Sequence, residues 1–192
     1  MNAVGMRVPR DFFVTSGVGE SDITVHAGSY HLALREARVE HVNHITYSSI
    51  LPATARQVER PDRADLTFGA VMETIAAVAT CEYGSQATAG LIWGWLLDEH
   101  GTTLGGLVCE YSGPLPPENA TAHLNAMLDE LHGNGYERHR LVRVEPVLRS
   151  VRPEKMYGTA YVGLCFLSHT FSEARDPRDR GPYRTPLGRS RA

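Results

Sequence analysis

The chain has 192 residues, 42% of them hydrophobic and 21% charged, which suits one globular domain that buries a core without disulfides. Its formal net charge of −3 gives no reason to expect a nucleic acid or an anionic membrane as a partner. No apolar run is long enough to span a bilayer, and the first residues lack an apolar signal core, so we expect a cytoplasmic protein.

The first third of the chain predicts a strand, a turn and a helix. Residues 1–8 are interpreted as a flexible lead-in, and residues 12–14 as a strand that ends in a tight turn at Gly17-Val18-Gly19. Residues 28–38 predict a helix, because apolar side chains recur there at helical spacing. Those side chains are Tyr30, Ala33, Leu34 and Ala37.

Strands predominate in the rest of the chain, over residues 43–51, 87–97, 103–111, 142–148 and 159–167. Residues 68–81 fit a helix or a strand by pattern alone. A second helix opens at Pro116-Pro117-Glu118 and ends at Gly133. Residues 171–192 hold almost nothing apolar, which predicts a disordered tail. Because strands outnumber helices, we expect an α+β fold with one domain over residues 9–170.

The stretch from Asn43 to Pro52 is the best candidate for chemistry. Adjacent serines, Ser48 and Ser49, follow a short β-prone run and precede a proline. A serine held in a sharply turned backbone can attack the carbonyl of the residue before it, with an effective molarity on the order of 10⁵ M or more. The alternative is that the two serines form an ordinary polar strand end.

Four segments of the chain resemble segments of the pyruvoyl-dependent arginine decarboxylases, and they follow one another in the same order as in that family. Pro9–Gly19 is similar to the opening strand with its Gly-rich turn, and Ser29–Ala37 is similar to the helix before the cleavage site. Asn43–Pro52 is similar to the self-cleavage site, and Gly106–Gly113 is similar to the strand that carries the catalytic acid. The resemblance covers residues 8–168 and also favours a strand over residues 68–81.

This resemblance implies roles for four side chains. Ser49 would attack the Ser48 carbonyl and become a pyruvoyl group, a covalent cofactor, so that the chain is cut between residues 48 and 49. Asn43 would polarise a carbonyl by hydrogen bonding; the alternative is a cap at a strand end or turn. Glu110 would return a proton to the substrate α-carbon, which requires burial to raise its pKa. The reaction implied is arginine to agmatine and CO₂, a step of polyamine biosynthesis, and no metal is expected.

The resemblance also places His31, Leu34 and Ile50 at the substrate pocket, with one departure from the family. The position of His31 is usually acidic and faces the substrate guanidinium, whereas histidine offers no such pairing. Leu34 could instead be plain core packing. His31 could face solvent while an acid from a neighbouring subunit takes over.

Three interpretations therefore stay open at this point. The first is a self-processing arginine decarboxylase, and the second is the same chemistry on another amino acid or an amine-bearing intermediate. The third is a noncatalytic assembly partner that keeps the fold. The resemblance further implies an αββα layered sandwich that assembles as a trimer or a dimer of trimers, with active sites between subunits.

Overall fold

The computed structural model describes residues 5–172. Within that range the chain forms two α-helices, α1 (His31–Glu36) and α2 (Pro117–Gly133), and a π-helical turn, Val25–Tyr30, leads directly into α1. The strands are β1 (Arg7–Pro9), β2 (Asp11–Ser21), β3 (Asn43–Thr46), β4 (Ile50–Pro52), β5 (Arg56–Gln57), β6 (Val71–Glu82), β7 (Ala87–Leu97), β8 (Thr103–Gly113), β9 (Arg140–Arg143), β10 (Val147–Val151), β11 (Tyr157–Phe166) and β12 (His169–Phe171). The mixed α+β class and the single domain are confirmed.

The strands form two five-stranded sheets and a short ribbon. The first sheet has the order β3-β6-β11-β2-β5, and the second has the order β10-β7-β8-β4 with β9 also paired to β7. In the ribbon, β1 pairs with β12 in antiparallel register. The edge strands β3 and β4 belong to different sheets, although only three residues separate them in the chain.

Three apolar clusters bind these elements together. One cluster takes side chains from both sheets, among them Phe12 and Ile75 from the first sheet and Trp93 and Val108 from the second. The stripe predicted for the first helix is confirmed, because Ala33, Leu34 and Ala37 are buried against the first sheet. Helix α2 buries Ala120, Leu124 and Leu128 against the second sheet.

The predicted turn at Gly17-Val18-Gly19 is wrong, because all three residues lie inside strand β2. The glycines are needed there for a close approach to the helical segment. A Cβ on Gly17 would lie 2.2 Å from the Ala33 carbonyl oxygen, and one on Gly19 would lie 2.2 Å from the Ser29 carbonyl oxygen. Such contacts are impossible, so the absent side chains let the helical segment sit directly on the strand.

The predicted strand over residues 43–51 is also wrong in extent, since the chain leaves the first sheet after Thr46 and joins the second at Ile50. Pro52 is the last residue of β4 and lies opposite Gly105 of β8. An edge strand uses only one side of its backbone for pairing, so a proline is tolerated there. The predicted strand over 142–148 likewise divides into β9 and β10, with Glu145 and Pro146 in the gap.

The ends of the domain differ slightly from expectation. Arg7 and Val8 belong to β1, so the lead-in is shorter than predicted, and Phe171 belongs to β12. Most of the predicted tail lies outside the described residues, and its disorder stays a prediction. Between residues 5 and 172, no helix combines the length and apolarity needed to cross a membrane.

Candidate active site

The segment Tyr47–Ser49 carries the chain from one sheet to the other. The Tyr47 amide still donates to the Thr74 carbonyl of the first sheet (2.7 Å), whereas the Ser49 carbonyl already accepts from the Val108 amide of the second (2.9 Å). Between these anchors the Ile50 amide donates to the Ser48 carbonyl at 2.9 Å and closes a tight turn at Ser49. The Ser48–Ser49 peptide is therefore fixed at both ends.

The Ser49 side chain points at a carboxylate of the second sheet. Its hydroxyl lies 3.1 Å from Glu110 Oε1 and 3.0 Å from Oε2, and donates to this carboxylate. Strand β8 carries Glu110, and its pairing with β4 fixes the distance between the two residues, because Ile50 lies opposite Leu107. The structure thus joins two of the predicted catalytic residues, which lie 61 positions apart in the chain.

Burial raises the pKa of the Glu110 carboxyl above its ordinary value, while the hydrogen bond from Ser49 lowers it and partly offsets that effect. The shift has the direction that a proton donor working near neutral pH needs. A carboxylate beside a hydroxyl can also accept its proton, so the pair is chemically able to activate Ser49 as a nucleophile.

A cleft of about 320 Å³ opens at these two residues. We name it the Ser49 cleft; its lining consists of Ser49, Val108, Cys109, Glu110, Met127, Glu130, Leu131 and Asn134. The contribution of helix α2 to this lining is not predicted by the sequence. No local motif could have found it, because the apolar stripe of α2 predicts only that the helix packs on something.

The predicted residues His31, Leu34 and Asn43 line a different depression, of about 300 Å³, beside helix α1. We name it the α1 cleft; its lining consists of His26, Tyr30, His31, Leu34, Val42, Asn43 and His44. A wider hollow of about 1070 Å³ adjoins it, shares His31 and Asn43, and adds Arg35 and Arg38. The Ser49 cleft and the α1 cleft share no residue.

Asn43 does not contact the Ser48 carbonyl within this chain. Its side-chain amide donates to the Gly69 carbonyl at 2.8 Å, while the Ser48 carbonyl accepts from Ile50. Ile50 is 51% exposed at the edge of the second sheet. His31 is exposed at the start of α1, whereas Leu34 is buried in the α1 cluster as well as lining the cleft.

Comparison with known proteins gives a consistent set of matches. A family model described as pyruvoyl-dependent arginine decarboxylase matches residues 11–171. The pyruvoyl-dependent arginine decarboxylase AaxB of Chlamydia trachomatis serovar L2 is 38% identical over 120 residues, which is 56% of this chain and 60% of that protein. The AaxB protein of Chlamydia pneumoniae is 34% identical over 122 residues, 57% of this chain and 62% of the relative.

A third relative is archaeal. The pyruvoyl-dependent arginine decarboxylase 2 of Methanosarcina mazei is 38% identical over 74 residues, 36% of this chain and 38% of that protein. The alignments with the chlamydial relatives thus span about three fifths of those proteins' own length.

Proposed function

The chain belongs to the pyruvoyl-dependent arginine decarboxylase family, and from that premise we propose that it cuts itself between Ser48 and Ser49 and then converts arginine to agmatine and CO₂. The family names indicate a pyruvoyl-dependent decarboxylase, a carboxy-lyase. The observation that carries the finer proposal is the donation of the Ser49 hydroxyl to both Glu110 oxygens, next to a Ser48 carbonyl held by the Ile50 amide.

The proposed cut begins when Ser49 Oγ bonds to the Ser48 carbonyl carbon and the peptide C–N bond breaks, which turns the peptide into an ester. Glu110 accepts the hydroxyl proton, and the Ile50 amide polarises the carbonyl under attack. Elimination then breaks the Ser49 Cβ–Oγ bond and removes the α-proton, which releases a first chain ending in the Ser48 carboxylate. Addition of one water and loss of one ammonia leave a pyruvoyl group in place of Ser49.

The residues around Ser49 fit this group, because the side chain that would become the pyruvoyl already opens onto a cleft beside an acid of raised pKa. A pyruvoyl carbonyl supplies the electron sink that decarboxylation of an amino acid requires. Glu110 would then return a proton to the substrate α-carbon. Its pKa would rise further after the cut, since the Ser49 hydroxyl that lowers it would be gone.

The lining of the Ser49 cleft supports a cationic amino acid with an aliphatic stem. Met127 and Leu131 offer apolar surface for methylene groups, and Glu130 places a carboxylate at the same cleft, whereas Glu110 must carry its proton during turnover. A negative charge in a cleft concentrates ligands of the opposite sign. An arginine side chain suits this combination better than an acidic one.

The proposal extends to the αββα layering and to a trimeric or larger homo-oligomer with active sites between subunits. Two observations support it. Each helix packs on a different sheet while one apolar cluster spans both sheets. His31, Leu34 and Asn43 lie away from the Ser49 cleft of their own chain, so the α1 cleft of a second copy would bring them to it.

The test is the replacement Ser49→Ala, with Ser48→Ala as the matched control. The wild-type protein is expected to give two masses, residues 1–48 and a pyruvoyl chain from position 49, together with a carbonyl that reacts with a hydrazide. Ser49→Ala should remain one chain and lack activity, because no nucleophile remains. Ser48→Ala keeps the nucleophile and should still be cut. A wild-type chain that stays whole and still decarboxylates arginine would overturn the proposal.

A further inference from the structure

A buried carboxylate lies beside the crossing segment and has no role in the chemistry described so far. Glu73 is in strand β6, and its side chain is only 4% exposed. It lies two residues before Ile75, which belongs to the cluster between the sheets. An ionised carboxylate in such a place is costly unless charged or hydrogen-bonding partners surround it.

The partners of Glu73 come from both strands of the terminal ribbon. Arg7 of β1 places Nη2 2.7 Å from Glu73 Oε1 and 2.9 Å from Oε2. His169 of β12 places Nε2 2.8 Å from Oε2. One carboxylate therefore fixes the ribbon to the edge region of the first sheet, at the point where β3 pairs with β6.

The same carboxylate lies next to Tyr47, the residue before Ser48. The register of β3 and β6 pairs Ile45 with Glu73 and Thr46 with Thr74, and the Tyr47 amide continues that register by donating to Thr74. Burial first, and then the negative charge of Glu73, raise the pKa of the Tyr47 phenol. The Tyr47 ring also packs on Phe166, with centroids 5.7 Å apart.

We propose that Glu73, clamped by Arg7 and His169, is a positioning residue for self-cleavage: it fixes Tyr47 and so holds the Ser48 carbonyl within reach of the Ser49 hydroxyl. This inference rests on the proposed function. The second sheet anchors the peptide from the far side, through Ser49 and Val108, and Glu73 supplies the anchor on the near side. An intramolecular attack depends steeply on orientation, so a loosened near anchor slows the cut without removing any reacting group.

The test compares how fast the full-length wild type, Glu73→Gln and Arg7→Met cleave themselves. Intact mass, measured at intervals from the moment of synthesis or refolding, gives the cleaved fraction of each protein. Both variants are expected to cleave at least about tenfold more slowly. Glu73→Asp, which keeps the charge, should recover part of the rate. Turnover per cleaved chain should stay within about twofold of wild type, because the variants leave the Ser49 cleft intact.

Asp11→Asn is the matched control, because Asp11 also lies in the first sheet and pairs with an arginine, Arg56, and with Ser168. It should lower the unfolding temperature to a similar extent but cleave at the wild-type rate. The inference is overturned if self-cleavage of Glu73→Gln is slowed no more than self-cleavage of Asp11→Asn. It is also overturned if Glu73→Gln cleaves at the wild-type rate.

Tyr47→Phe decides the matter if Glu73→Gln fails to fold, since it leaves Glu73, Arg7 and His169 in place and removes only the phenol hydroxyl whose pKa the Glu73 charge helps to raise. A several-fold slower cut is expected, and the wild-type rate would overturn the inference. If the wild-type chain itself is never cut, both the proposed function and this inference are overturned. If it is cut and the variants match it, this inference alone is lost.

Discussion

The Ser49 cleft and the α1 cleft differ in charge and in how the chain builds them. The Ser49 cleft carries two carboxyl groups and joins Ser49 to residues of β8 and α2 that lie far from it in the sequence. The α1 cleft carries histidines and no carboxyl group, and it comes from one contiguous stretch, residues 26–44. Its adjoining hollow mixes three arginines with two acids: Arg35, Arg38, Arg63, Glu40 and Asp62. Residues only six positions apart, Asn43 and Ser49, therefore face different surfaces, because the chain changes sheets between them.

This difference shows that nearness in the sequence does not decide which predicted residues act together. One chain carries both sets of residues but does not bring them to one surface. Three experiments test how each cleft contributes to the reaction, and they are taken from the largest expected effect to the smallest.

Replacing the acid of the Ser49 cleft should have the largest effect. In Glu110→Gln the amide oxygen still accepts a hydrogen bond from the Ser49 hydroxyl but cannot take up its proton, so the chain should still be largely cut, though more slowly than the wild type. The amide also cannot return a proton to the substrate. Turnover per cleaved chain should fall about 10²- to 10⁴-fold. Wild-type turnover should decrease as pH rises through the raised pKa of Glu110, because only the protonated form donates.

The measurement is kcat as a function of pH for both proteins, with the cleaved fraction determined by intact mass. Glu137→Gln, in the loop after α2, is the control for loss of a carboxylate elsewhere. Near wild-type turnover in Glu110→Gln would assign the proton donor to another group.

Combining a defect in each cleft should give an intermediate effect. Asn43→Ala is expected to lose about 10²- to 10³-fold in turnover if its amide stabilises a developing oxyanion, and Ser49→Ala should be inactive. Co-expression of the two variants should restore a measurable fraction of wild-type activity, because a mixed oligomer can join an intact α1 cleft to an intact Ser49. Mixtures no more active than Asn43→Ala alone would place the whole site within one chain.

The smallest effect is expected at His31, in the α1 cleft. Its exposed position limits a new carboxylate there to about 1 kcal/mol of ion-pair energy. His31→Asp should therefore raise kcat/KM for arginine about two- to fivefold, whereas His100→Asp, in an exposed turn, should not. An unchanged kcat/KM for arginine in His31→Asp would exclude this end of the α1 cleft from the substrate site.

Local pattern predicted the fold well where one face of an element is buried. The helix stripe at Ala33, Leu34 and Ala37 is confirmed, because burial on one face leaves a period in the sequence. The long strands β7 and β8 are confirmed as well, but they were recognisable as nearly continuous apolar runs, because both of their faces are buried. The glycines of β2 misled because a glycine that permits close packing and one that permits a turn leave the same mark. The two cases differ only in the position of the helical segment, whose carbonyl oxygens would lie 2.2 Å from a Cβ on Gly17 or Gly19.

The site was predictable only in part. The family resemblance predicts separate catalytic roles for Ser49 and Glu110, and the structure adds that the two side chains are in contact. Neither the α2 wall of the Ser49 cleft nor the Glu73 cluster could be predicted, because each depends on residues more than sixty positions apart that meet only through sheet pairing. The β1–β12 ribbon was missed for the same reason, since three-residue strands at the two ends of a domain leave no period.

The position of β2 has a consequence for how the protein would come apart. Strand β2 lies between β11 and β5 in the first sheet. After a cut behind Ser48, the shorter chain, residues 1–48, would therefore stay hydrogen-bonded in a sheet built mostly from the longer chain. The covalent link disappears while the paired strands remain. Unfolding of each subunit then separates two chains, and the midpoint temperature depends more steeply on protein concentration than that of an uncut oligomer. Refolding would require the two chains to find each other, so the mature protein, once dispersed by heat at low concentration, would recover far more slowly than the Ser49→Ala chain.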